Sequence, residues 1–418
     1  MGTCRSMHVE GSAANRSILM LCNDRQIDRR IMLQADSLEQ AGWQVRILAM
    51  PLDEPVEDDH RVTRVGQNAS QTALRENRVL STYRFVRRYL SMNGGPMRLL
   101  KALAWRFLVD QERFYLRLFL DQARQMRADV VVAHDLPMLA VGRALAAEFS
   151  AKLVYDSHEL YCEQEFSRAQ GRNWALIEQR HIGACDLVIT VNPSIANELA
   201  CRYDLTDVQV IHNAERVSPL GPRSWYLHDR FAIARSHAVL LFQGGLSAGR
   251  HLPELVNAMA LLKNQTVNLV LLGDGQLGAA LATQVRRLGL EGRVHLHPAV
   301  PQRDLLAITA AADAGVIPYQ AICLNNFYCT PNKLFEFIAA GLPVLASDLP
   351  ELRRIVADSN IGQVADLSSI QSMAAAMDGF FRDPARLQEW RDSLADVREQ
   401  FSWQVEGARL QALYERLQ

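Results

Sequence analysis

The sequence predicts an α/β protein with two tandem doubly wound, Rossmann-like domains that face a cleft. Short, near-continuously apolar runs alternate with helical segments along most of the chain, a pattern typical of parallel sheets covered on both faces. The runs form two series, separated by a loop-like stretch at 215–236 that contains "SPLGPRSW". A chain of 418 residues is long enough for two domains of similar size. A cleft between two such sheets is a natural ligand site.

The first series occupies residues 17–214. The run "SILMLCN" (17–23) precedes an amphipathic stretch at 27–41 and a second apolar run, "QVRILAM" (44–50), which predicts strand, helix and strand. After a long insertion the same rhythm continues in four further apolar runs, "ADVVVAH", "AKLVYD", "CDLVITV" and "DVQVIH". Residues 1–16 precede this series, and we expect them to form a flexible leader.

The second series occupies residues 237–400 and follows the predicted linker at 215–236. Helical segments separate its apolar runs, which are "AVLLFQGG", "VNLVLLGDG", "RVHLHPAV", "DAGVIPY" and "PVLAS". Residues 401–418 are predicted to form a final helix. The second series therefore predicts another doubly wound domain of about the same size as the first.

The insertion at 75–127 differs from the rest of the first domain. Arginine and lysine outnumber acidic residues there, and aromatic side chains are interleaved with them. Two interpretations remain open: a basic, aromatic helical pair on an anionic membrane surface, or a helical hairpin whose aromatic side chains pack on the sheet. The aromatic residues are Tyr83, Phe85, Trp105, Phe107, Phe114, Tyr115 and Phe119.

Composition and motifs argue against several classes of protein. The formal net charge of -1 disfavours a general nucleic-acid binder. The seven cysteines include no Cys-x-x-Cys pair and no metal-ligand spacing, which favours free thiols in a reducing compartment. With no apolar signal or spanning run in the sequence, we expect a cytoplasmic location. The absence of a Gly-x-x-x-x-Gly-Lys-Ser/Thr loop and of Gly-x-Gly-x-x-Gly after the first strand disfavours P-loop NTPases and classical dehydrogenases.

Three loops of the second domain carry the residue types of a nucleotide-diphosphate site: "GGLSAGRHL" (244–252), "LLGDG" (271–275) and "TPNKLFE" (330–336). Loops that follow parallel strands lie at one edge of a sheet, so we expect them to meet. Glycines allow a ligand to approach the backbone closely, because they have no side chain. Cationic side chains bind phosphates, and a carboxylate binds the hydroxyls of the ribose. Each motif alone favours an ordinary glycine turn or a capped helix, and the agreement of the three is what favours a ligand site. The residues concerned are Gly244, Gly245, Arg250, Gly273, Asp274, Gly275, Lys333 and Glu336.

Polar residues also follow strands of the first domain, where they are expected to face the cleft. "VVAHDLPML" places His134 and Asp135 after one strand, and "VYDSHELYCEQEF" places Asp156, His158 and Glu159 after the next. A histidine there can orient a hydroxyl or polarise a substrate, and the alternative role is to cap the following helix. The loop after the first strand, "CNDRQIDRR", offers further candidates for substrate contact, which are Asp24, Arg25, Asp28 and Arg29.

Several of these segments together resemble glycosyltransferase family 4, which has the GT-B fold. The matching segments are "VVAHDLPML", "YDSHELYCE", "FQGGLSAGRHL", "LLGDG", "PNKLFEFIAAGLPVLASDLPELRRIV" and "FSWQVEGARLQALYERL". The resemblance runs from about Ser17 to the C-terminus. It implies transfer of a sugar from a nucleotide-diphosphate sugar, UDP or GDP sugar, with retention at the anomeric carbon and no bound metal. The absence of an Asp-x-Asp motif agrees with this expectation.

The resemblance also implies partners and a location. The acceptor is expected to be a glycan or a lipid-linked molecule in bacterial surface-polysaccharide or glycolipid assembly. The protein is expected in the cytoplasm, peripherally at the inner face of the membrane, with no nucleic acid as partner and no cofactor beyond the donor. The first domain would face the acceptor, the second would bind the donor, and the helix at 401–418 would cross back to the first domain.

Roles for individual residues follow from the resemblance. Glu336 matches the glutamate that binds the donor ribose, Arg250 stands where the family usually has a lysine on the diphosphate, and Lys333 belongs to the same segment as Glu336. His134 matches a histidine beside the transferred sugar. The expected catalytic residues are His134, Arg250 and Lys333, without any metal ligand. The expected donor-binding residues are Gly244, Gly245, Gly273, Asp274, Gly275, Tyr328, Asn332, Leu334 and Glu336. The expected acceptor-side residues are Asp135, His158, Glu159 and Arg25.

Two positions depart from the family pattern. Tyr328 stands where a first glutamate is common, and Gly245 stands where an arginine is usual. These departures keep two rival functions in view. One is a catalytically inactive binding or scaffold subunit of a polysaccharide-assembly complex, and the other is a nucleotide-sugar epimerase of the same fold.

Overall fold

The computed structural model describes residues 16–52, 59–66 and 110–417. The described chain forms two compact units. The first contains the described residues up to Tyr155 together with Ala184–Asp186, and the second contains Asp156–Gly183 and Leu187–Arg416. Residues 1–15 of the predicted leader (1–16) and residues 75–109 of the predicted insertion (75–127) lie outside the described residues. The predicted domain boundaries at 214 and 237 stay a prediction.

Two parallel sheets contain the thirteen strands found among the described residues. The first sheet has the order β3-β2-β1-β4-β5-β6-β7, and the second has the order β10-β9-β8-β11-β12-β13. The strands are β1 (Ser17–Cys22), β2 (Gln44–Ala49), β3 (Val62–Arg64), β4 (Val130–His134), β5 (Lys152–Ser157), β6 (Leu187–Thr190), β7 (Val208–Val210), β8 (Ala238–Gln243), β9 (Val267–Leu272), β10 (Val294–His297), β11 (Ala314–Ile317), β12 (Val344–Ser347) and β13 (Gly362–Ala365).

Each sheet begins in its middle and is wound outward in both directions. The strand order reverses between β1 and β4 in the first sheet, where Leu21 pairs with Leu48 on one side and Ala133 on the other. It reverses between β8 and β11 in the second sheet, where Leu241 pairs with Val270 and Gly315. Open sheets bind ligands at such reversal points, beyond the carboxyl ends of the strands. The predicted fold class, with two doubly wound parallel sheets, is confirmed.

Fifteen α-helices connect these strands within the described ranges. They are α1 (Arg29–Gln40), α2 (Gln111–Ala123), α3 (Leu136–Phe149), α4 (Arg168–His181), α5 (Pro193–Tyr203), α6 (Tyr226–Phe231), α7 (Leu252–Leu261), α8 (Gly278–Arg287), α9 (Gln302–Thr309), α10 (Leu324–Phe327), α11 (Asn332–Ala339), α12 (Pro350–Leu352), α13 (Ile370–Phe380), α14 (Pro384–Gln400) and α15 (Trp403–Glu415). Short polar side chains begin several of them. Asp28, Asn192 and Ser402 each accept a hydrogen bond from a backbone N–H of the first turn.

The core of the second sheet explains where α11 lies. Every residue of β9 and β12 is buried, as expected for strands covered on both faces. A Cβ atom added to Gly315 of β11 would lie 2.3 Å from the ring of Phe337. The bare glycine therefore allows Phe337 and its helix α11 to pack directly on the strand. This packing places the first turn of α11 beside the end of β8.

Three local features differ from the sequence prediction. Strands β3 and β13 were not predicted, because runs of three and four residues with polar members carry a weak periodic signal. The loop-like stretch at 215–236 contains helix α6, which ends at Ala232 in the left-handed conformation (φ 52°). Pro331, which the sequence pattern of a capped helix places in the first turn, occupies the N-cap position of α11, one residue before that turn.

Candidate functional site

The ammonium of Lys333 is buried at the reversal point of the second sheet. Lys333 is the second residue of α11 and is 6% exposed. Its Nζ atom donates a hydrogen bond of 2.8 Å to the Tyr319 hydroxyl. The same atom lies 4.2 Å from the ring centroid of Phe242 and 4.8 Å from that of Tyr319. Aromatic faces attract a cation, but they replace only part of the water that a lysine loses on burial.

Burial, followed by the positive charge of Arg250, lowers the pKa of Lys333 to about 7. Glu336 and Cys329 act in the opposite direction. An ammonium that is short of both water and negative charge favours any anion that comes near, because the anion stabilises the charged form. The site is therefore ready to bind an anionic group and to take up a proton as it does so.

Two glycine turns form the floor of this site. Gly244 follows β8 with φ 116°, and a Cβ atom there would lie 3.3 Å from Nζ of Lys333. Gly273 follows β9 with φ 144°, and its added Cβ would lie 2.0 Å from the carbonyl oxygen of Gly244. The Leu246 N–H donates a 2.9 Å bond to the carbonyl of Asp274, and a Cβ at Gly275 would lie 2.3 Å from the Leu246 carbonyl. The structure thus brings the first two predicted loops together, backbone against backbone.

Arg250 supplies a second cation beside Lys333. Its guanidinium carbon lies 4.3 Å from the ring centroid of Tyr319. His251, which follows it, adopts the left-handed conformation (φ 57°) at the N-cap of α7, so Arg250 stands immediately before a helix start. Burial raises the pKa of Tyr319 above its usual value, and Arg250 opposes that rise. Tyr319 therefore stays a neutral phenol between two cations, and its ring contacts both of them.

The carboxylate of Glu336 lies near Lys333 and belongs to the same helix, α11. Glu336 is 8% exposed and accepts a hydrogen bond from Nε2 of Gln243, the last residue of β8. The Oε1 atom of Gln243 accepts a 2.8 Å bond from the Thr309 hydroxyl. A buried amide bonded on both sides fixes its neighbours in place. Gln243 and Tyr319 were missed by sequence reasoning, although a polar or aromatic residue ending an apolar run ("AVLLFQ", "VIPY") is a usable signal.

The remaining predicted donor-binding residues differ in their surroundings. Asn332 is exposed at the start of α11. The side chain of Leu334 is completely buried in the hydrophobic core, and its N–H donates a 2.9 Å hydrogen bond to the Pro331 carbonyl. The donor-binding role of Leu334 stays a prediction. Tyr328 is partly buried at the end of α10, and its carbonyl accepts a 2.8 Å hydrogen bond from Asn192. Its binding role stays a prediction.

The predicted residues of the first sheet lie at the carboxyl ends of β1 and β4. His134 is the last residue of β4, 1% exposed, and pairs in register with Cys22 of β1. Asp135 adopts φ 62° and ψ 163°, a conformation that costs a non-glycine residue energy. Burial and then the carboxylate of Asp24 raise the pKa of the Cys22 thiol. Arg25 is exposed, and its carbonyl accepts a 2.7 Å hydrogen bond from Arg64.

His158 and Glu159, predicted on the acceptor side, follow β5. The Nε2 atom of His158 lies 3.1 Å from the buried carboxylate of Asp156. Glu159 accepts hydrogen bonds from two amides, one from Asn325 at 2.8 Å and one from Gln164. Its carboxylate therefore binds the loop that precedes α11. A contact of Glu159 with an acceptor stays a prediction.

Comparison with known proteins agrees with this architecture. The family model described as "Glycosyl transferases group 1" matches residues 237–383, and the one described as "Glycosyl transferase 4-like domain" matches residues 27–214. The chain belongs to glycosyltransferase family 4. The glycosyltransferase is 23% identical over 317 residues to D-inositol 3-phosphate glycosyltransferase of Corynebacterium diphtheriae, covering 70% of this chain and 72% of the relative.

Solved structures show that this glycosyltransferase has the GT-B fold. Sucrose-phosphate synthase of Thermosynechococcus elongatus superimposes with a TM-score of 0.71 at 16% identity, covering 96% of this chain and 99% of the other. The Anabaena protein HepE, solved in complex with UDP, gives 0.66 at 17% identity, with 96% and 100% covered. At these identities the likeness establishes the fold alone. Within the described residues of the glycosyltransferase, no helix is long and apolar enough to cross a bilayer.

Proposed function

We propose that this glycosyltransferase retains the configuration at the anomeric carbon, needs no metal ion and takes its sugar from a UDP or GDP sugar. The observation that carries the proposal is the buried ammonium of Lys333, which lies beside Arg250 and next to Gly244, a residue without a side chain. Two cations and a helix start at a strand-order reversal are suited to a diphosphate. That HepE was solved with UDP supports a nucleotide in the same fold.

In this proposal the donor diphosphate lies between Arg250 and Lys333, and Glu336 binds the ribose hydroxyls. Negative charge grows on the diphosphate as the bond to the sugar breaks, and the two cations stabilise that charge. Because Lys333 gains charge as the anion approaches, its ammonium and the Arg250 guanidinium can together fulfil the role that a metal ion has in other transferases. His134 is proposed to lie beside the transferred sugar.

The acceptor is proposed to be a glycan or a lipid-linked molecule in the assembly of a bacterial surface polysaccharide or glycolipid. The support is the relatives' chemistry, since phosphatidyl-myo-inositol mannosyltransferase of Mycobacterium leprae matches 22% of this chain at 28% identity. A cytoplasmic protein that binds the inner face of the membrane peripherally would reach such an acceptor. The basic, aromatic segment at 75–127 is proposed as the contact with anionic lipid.

A thermal-shift screen tests the donor site. The protein is heated with UDP, GDP, ADP, CMP and dTDP, each with Mg²⁺ or with EDTA. We expect a rise in Tm with UDP or GDP that is indifferent to EDTA and absent in Glu336→Ala. Turnover should fall about hundredfold or more in Arg250→Ala, because a charge-assisted contact to the leaving group is lost. A protein that binds none of the five nucleotides would instead favour the inactive scaffold subunit, for which Tyr328 and Gly245 are the observations.

A further inference from the structure

The loop between β11 and α11, residues 318–331, is attached to segments that follow β5 and β6 by two asparagine side chains. We call it the β11–α11 loop. Asn325 reaches outward from the loop, accepting a 3.0 Å hydrogen bond from the Leu160 N–H and donating one of 2.8 Å to Glu159. Asn192 reaches inward to the loop from the end of β6. Asn325 thus attaches α10 itself, and Asn192 attaches the residues that follow α10.

Asn192 is completely buried, and its carboxamide serves two purposes at once. The Oδ1 atom accepts a 2.9 Å hydrogen bond from the Ile195 N–H and caps α5. The Nδ2 atom donates one hydrogen bond to the Tyr328 carbonyl at 2.8 Å and one to the Thr330 hydroxyl at 3.1 Å. Helix capping needs only an oxygen, which serine also provides. Capping therefore does not explain the two hydrogen bonds that the Nδ2 atom donates.

The segment that Asn192 binds, residues 328–330, lies beside the Lys333 ammonium. Its middle residue, Cys329, interacts electrostatically with both Arg250 and Lys333. The other end of the β11–α11 loop provides Tyr319, which accepts the hydrogen bond of Lys333. The loop thus supplies two groups that interact with the ammonium, the Tyr319 hydroxyl near its beginning and Cys329 near its end.

We propose that Asn192 is a positioning residue of the donor site: its carboxamide fixes residues 328–330 against Lys333 and thereby keeps water from the ammonium. The role of Asn192 in donor binding rests on the proposed function. Its role in shielding Lys333 from water does not, because that shielding exists in the protein without a nucleotide. No direct contact between Asn192 and the donor is implied.

The groups that face Lys333 allow its titration to be observed. They are Arg250, Glu336, Tyr319 and Cys329. Burial raises the pKa of Cys329 to about 12 and that of Tyr319 above its usual value, so neither group gains charge between pH 6 and 9. If water reaches the ammonium, the pKa of Lys333 rises from about 7 toward the ordinary value of 10.5.

The lysine content of the chain makes a direct experiment practical. The sequence contains four lysines, Lys101, Lys152, Lys263 and Lys333. Protein labelled with ¹³C and ¹⁵N in lysine is titrated by NMR from pH 5.5 to 10.5 without nucleotide, and Lys333→Met assigns the signal. We expect a midpoint near 7 in the wild type. In Asn192→Ser, which keeps the cap and removes both donors, we expect the midpoint to rise by one pH unit or more.

Two further variants make this test decisive. Thr330→Val removes one of the two hydrogen-bond acceptors of the Asn192 Nδ2 atom, so the midpoint should rise by a smaller amount. This variant also provides the test if Asn192→Ser does not fold. Asn268→Ser is the matched control, because Asn268 is also a buried asparagine but lies at the amino end of β9. It should lower the Tm without moving the midpoint. An unchanged midpoint in folded Asn192→Ser or Thr330→Val would overturn the proposal.

Nucleotide binding separates this inference from the proposed function. The Kd values of UDP and GDP are measured by calorimetry at pH 6.5, 7.5 and 8.5. In the wild type the affinity for the nucleotide that binds should fall severalfold or more across this range, and in Asn192→Ser it should be nearly constant. If the wild type binds neither nucleotide, the donor site is refuted, while the lysine titration still decides whether Asn192 shields Lys333.

Discussion

The burial of the Lys333 ammonium lowers the stability of the free protein at low pH. Its pKa is lowered by burial from 10.5 to about 7, so between those pH values the unfolded chain binds more protons than the folded chain. The free energy of unfolding therefore rises with pH in this window and is lowest below pH 7. Lowering a pKa by one corresponds to about 1.4 kcal/mol of free energy, so the destabilisation at low pH is of the order of a few kcal/mol.

We accordingly expect Lys333→Met to be more stable than the wild type at pH 6. The gain should shrink as the pH approaches 9, because the wild-type lysine is then largely neutral in the folded state. Thermal unfolding at pH 6, 7.5 and 9 measures this difference. A variant that is less stable than the wild type at pH 6 would show that the bond to Tyr319 and the contacts with the two rings outweigh the desolvation of the ammonium.

Gln243 is predicted to act on the donor through Glu336. In Gln243→Leu the Glu336 carboxylate loses its amide donor, and we expect the affinity for UDP or GDP to fall about tenfold or more. Thr309→Val removes the hydrogen bond behind Gln243, together with that of the same hydroxyl to the Leu305 carbonyl, and should have a smaller effect in the same direction because Gln243 keeps its bond to Glu336. Calorimetric titration measures both. Equal affinity in Gln243→Leu and the wild type would mean that Glu336 keeps its position without this amide.

At the scale of elements, the position of α11 depends on Gly315. A methyl group there would lie 2.3 Å from the Phe337 ring, so Gly315→Ala should displace α11 and cost about 1–3 kcal/mol of stability. It should also weaken nucleotide binding, because α11 carries Lys333 and Glu336. Gly379→Ala in α13 is the control: its added methyl meets no atom within 4 Å, and we expect it to stabilise the helix by about 0.5–1 kcal/mol. Urea unfolding of both variants measures the difference.

The sequence is informative about the elements to the extent that their signal is local. Long apolar runs such as 238–243 and 267–272 predicted buried parallel strands correctly, because both faces of such strands meet helices. The sequence did not predict β13, because this strand has only four residues and few of them are apolar. It did not predict α6 either, because this helix has only six residues and is ended by Ala232 in the left-handed conformation. Three loops rich in glycine, Arg, Lys and Glu were predicted to meet, and the structure places their residues around Lys333. What was not predictable is the set of partners from distant segments, of which Asn192 is the clearest case.

At the scale of the whole molecule, the last helix is joined to the chain near β7 by a buried carboxylate. Glu406 of α15 is completely buried and accepts a 2.9 Å hydrogen bond from the His212 ring and one of 3.2 Å from the His212 N–H. Arg409 lies 3.0 Å from the same carboxylate. The His212 ring also contacts Phe335 of α11 and Phe401, with centroid distances of 5.9 and 5.4 Å. The end of the chain thus packs against α11, the helix that carries Lys333 and Glu336, which are proposed to bind the donor.

We expect Glu406→Ala to lower the free energy of unfolding by about 3–5 kcal/mol, because it leaves His212 without its buried partner. Glu406→Gln keeps the shape and one acceptor and should cost less. Glu415→Ala, at an exposed position of the same helix, should change stability by no more than about 0.5 kcal/mol. Urea unfolding followed by circular dichroism compares the three. Similar losses for Glu406→Ala and Glu415→Ala would contradict a supporting role for this link.

The unusual protonation of Lys333 has a chemical consequence beyond binding. An amine with a pKa of about 7 is uncharged about half of the time at neutral pH, whereas an ordinary lysine is uncharged roughly once in three thousand instances. The uncharged form is a nucleophile. A small aldehyde added to the protein without nucleotide should therefore form an imine with Lys333 in preference to the other three lysines, with loss of water. Borohydride would trap that product as a single labelled peptide, and a bound nucleotide diphosphate, which returns the charge to the amine, should prevent the labelling.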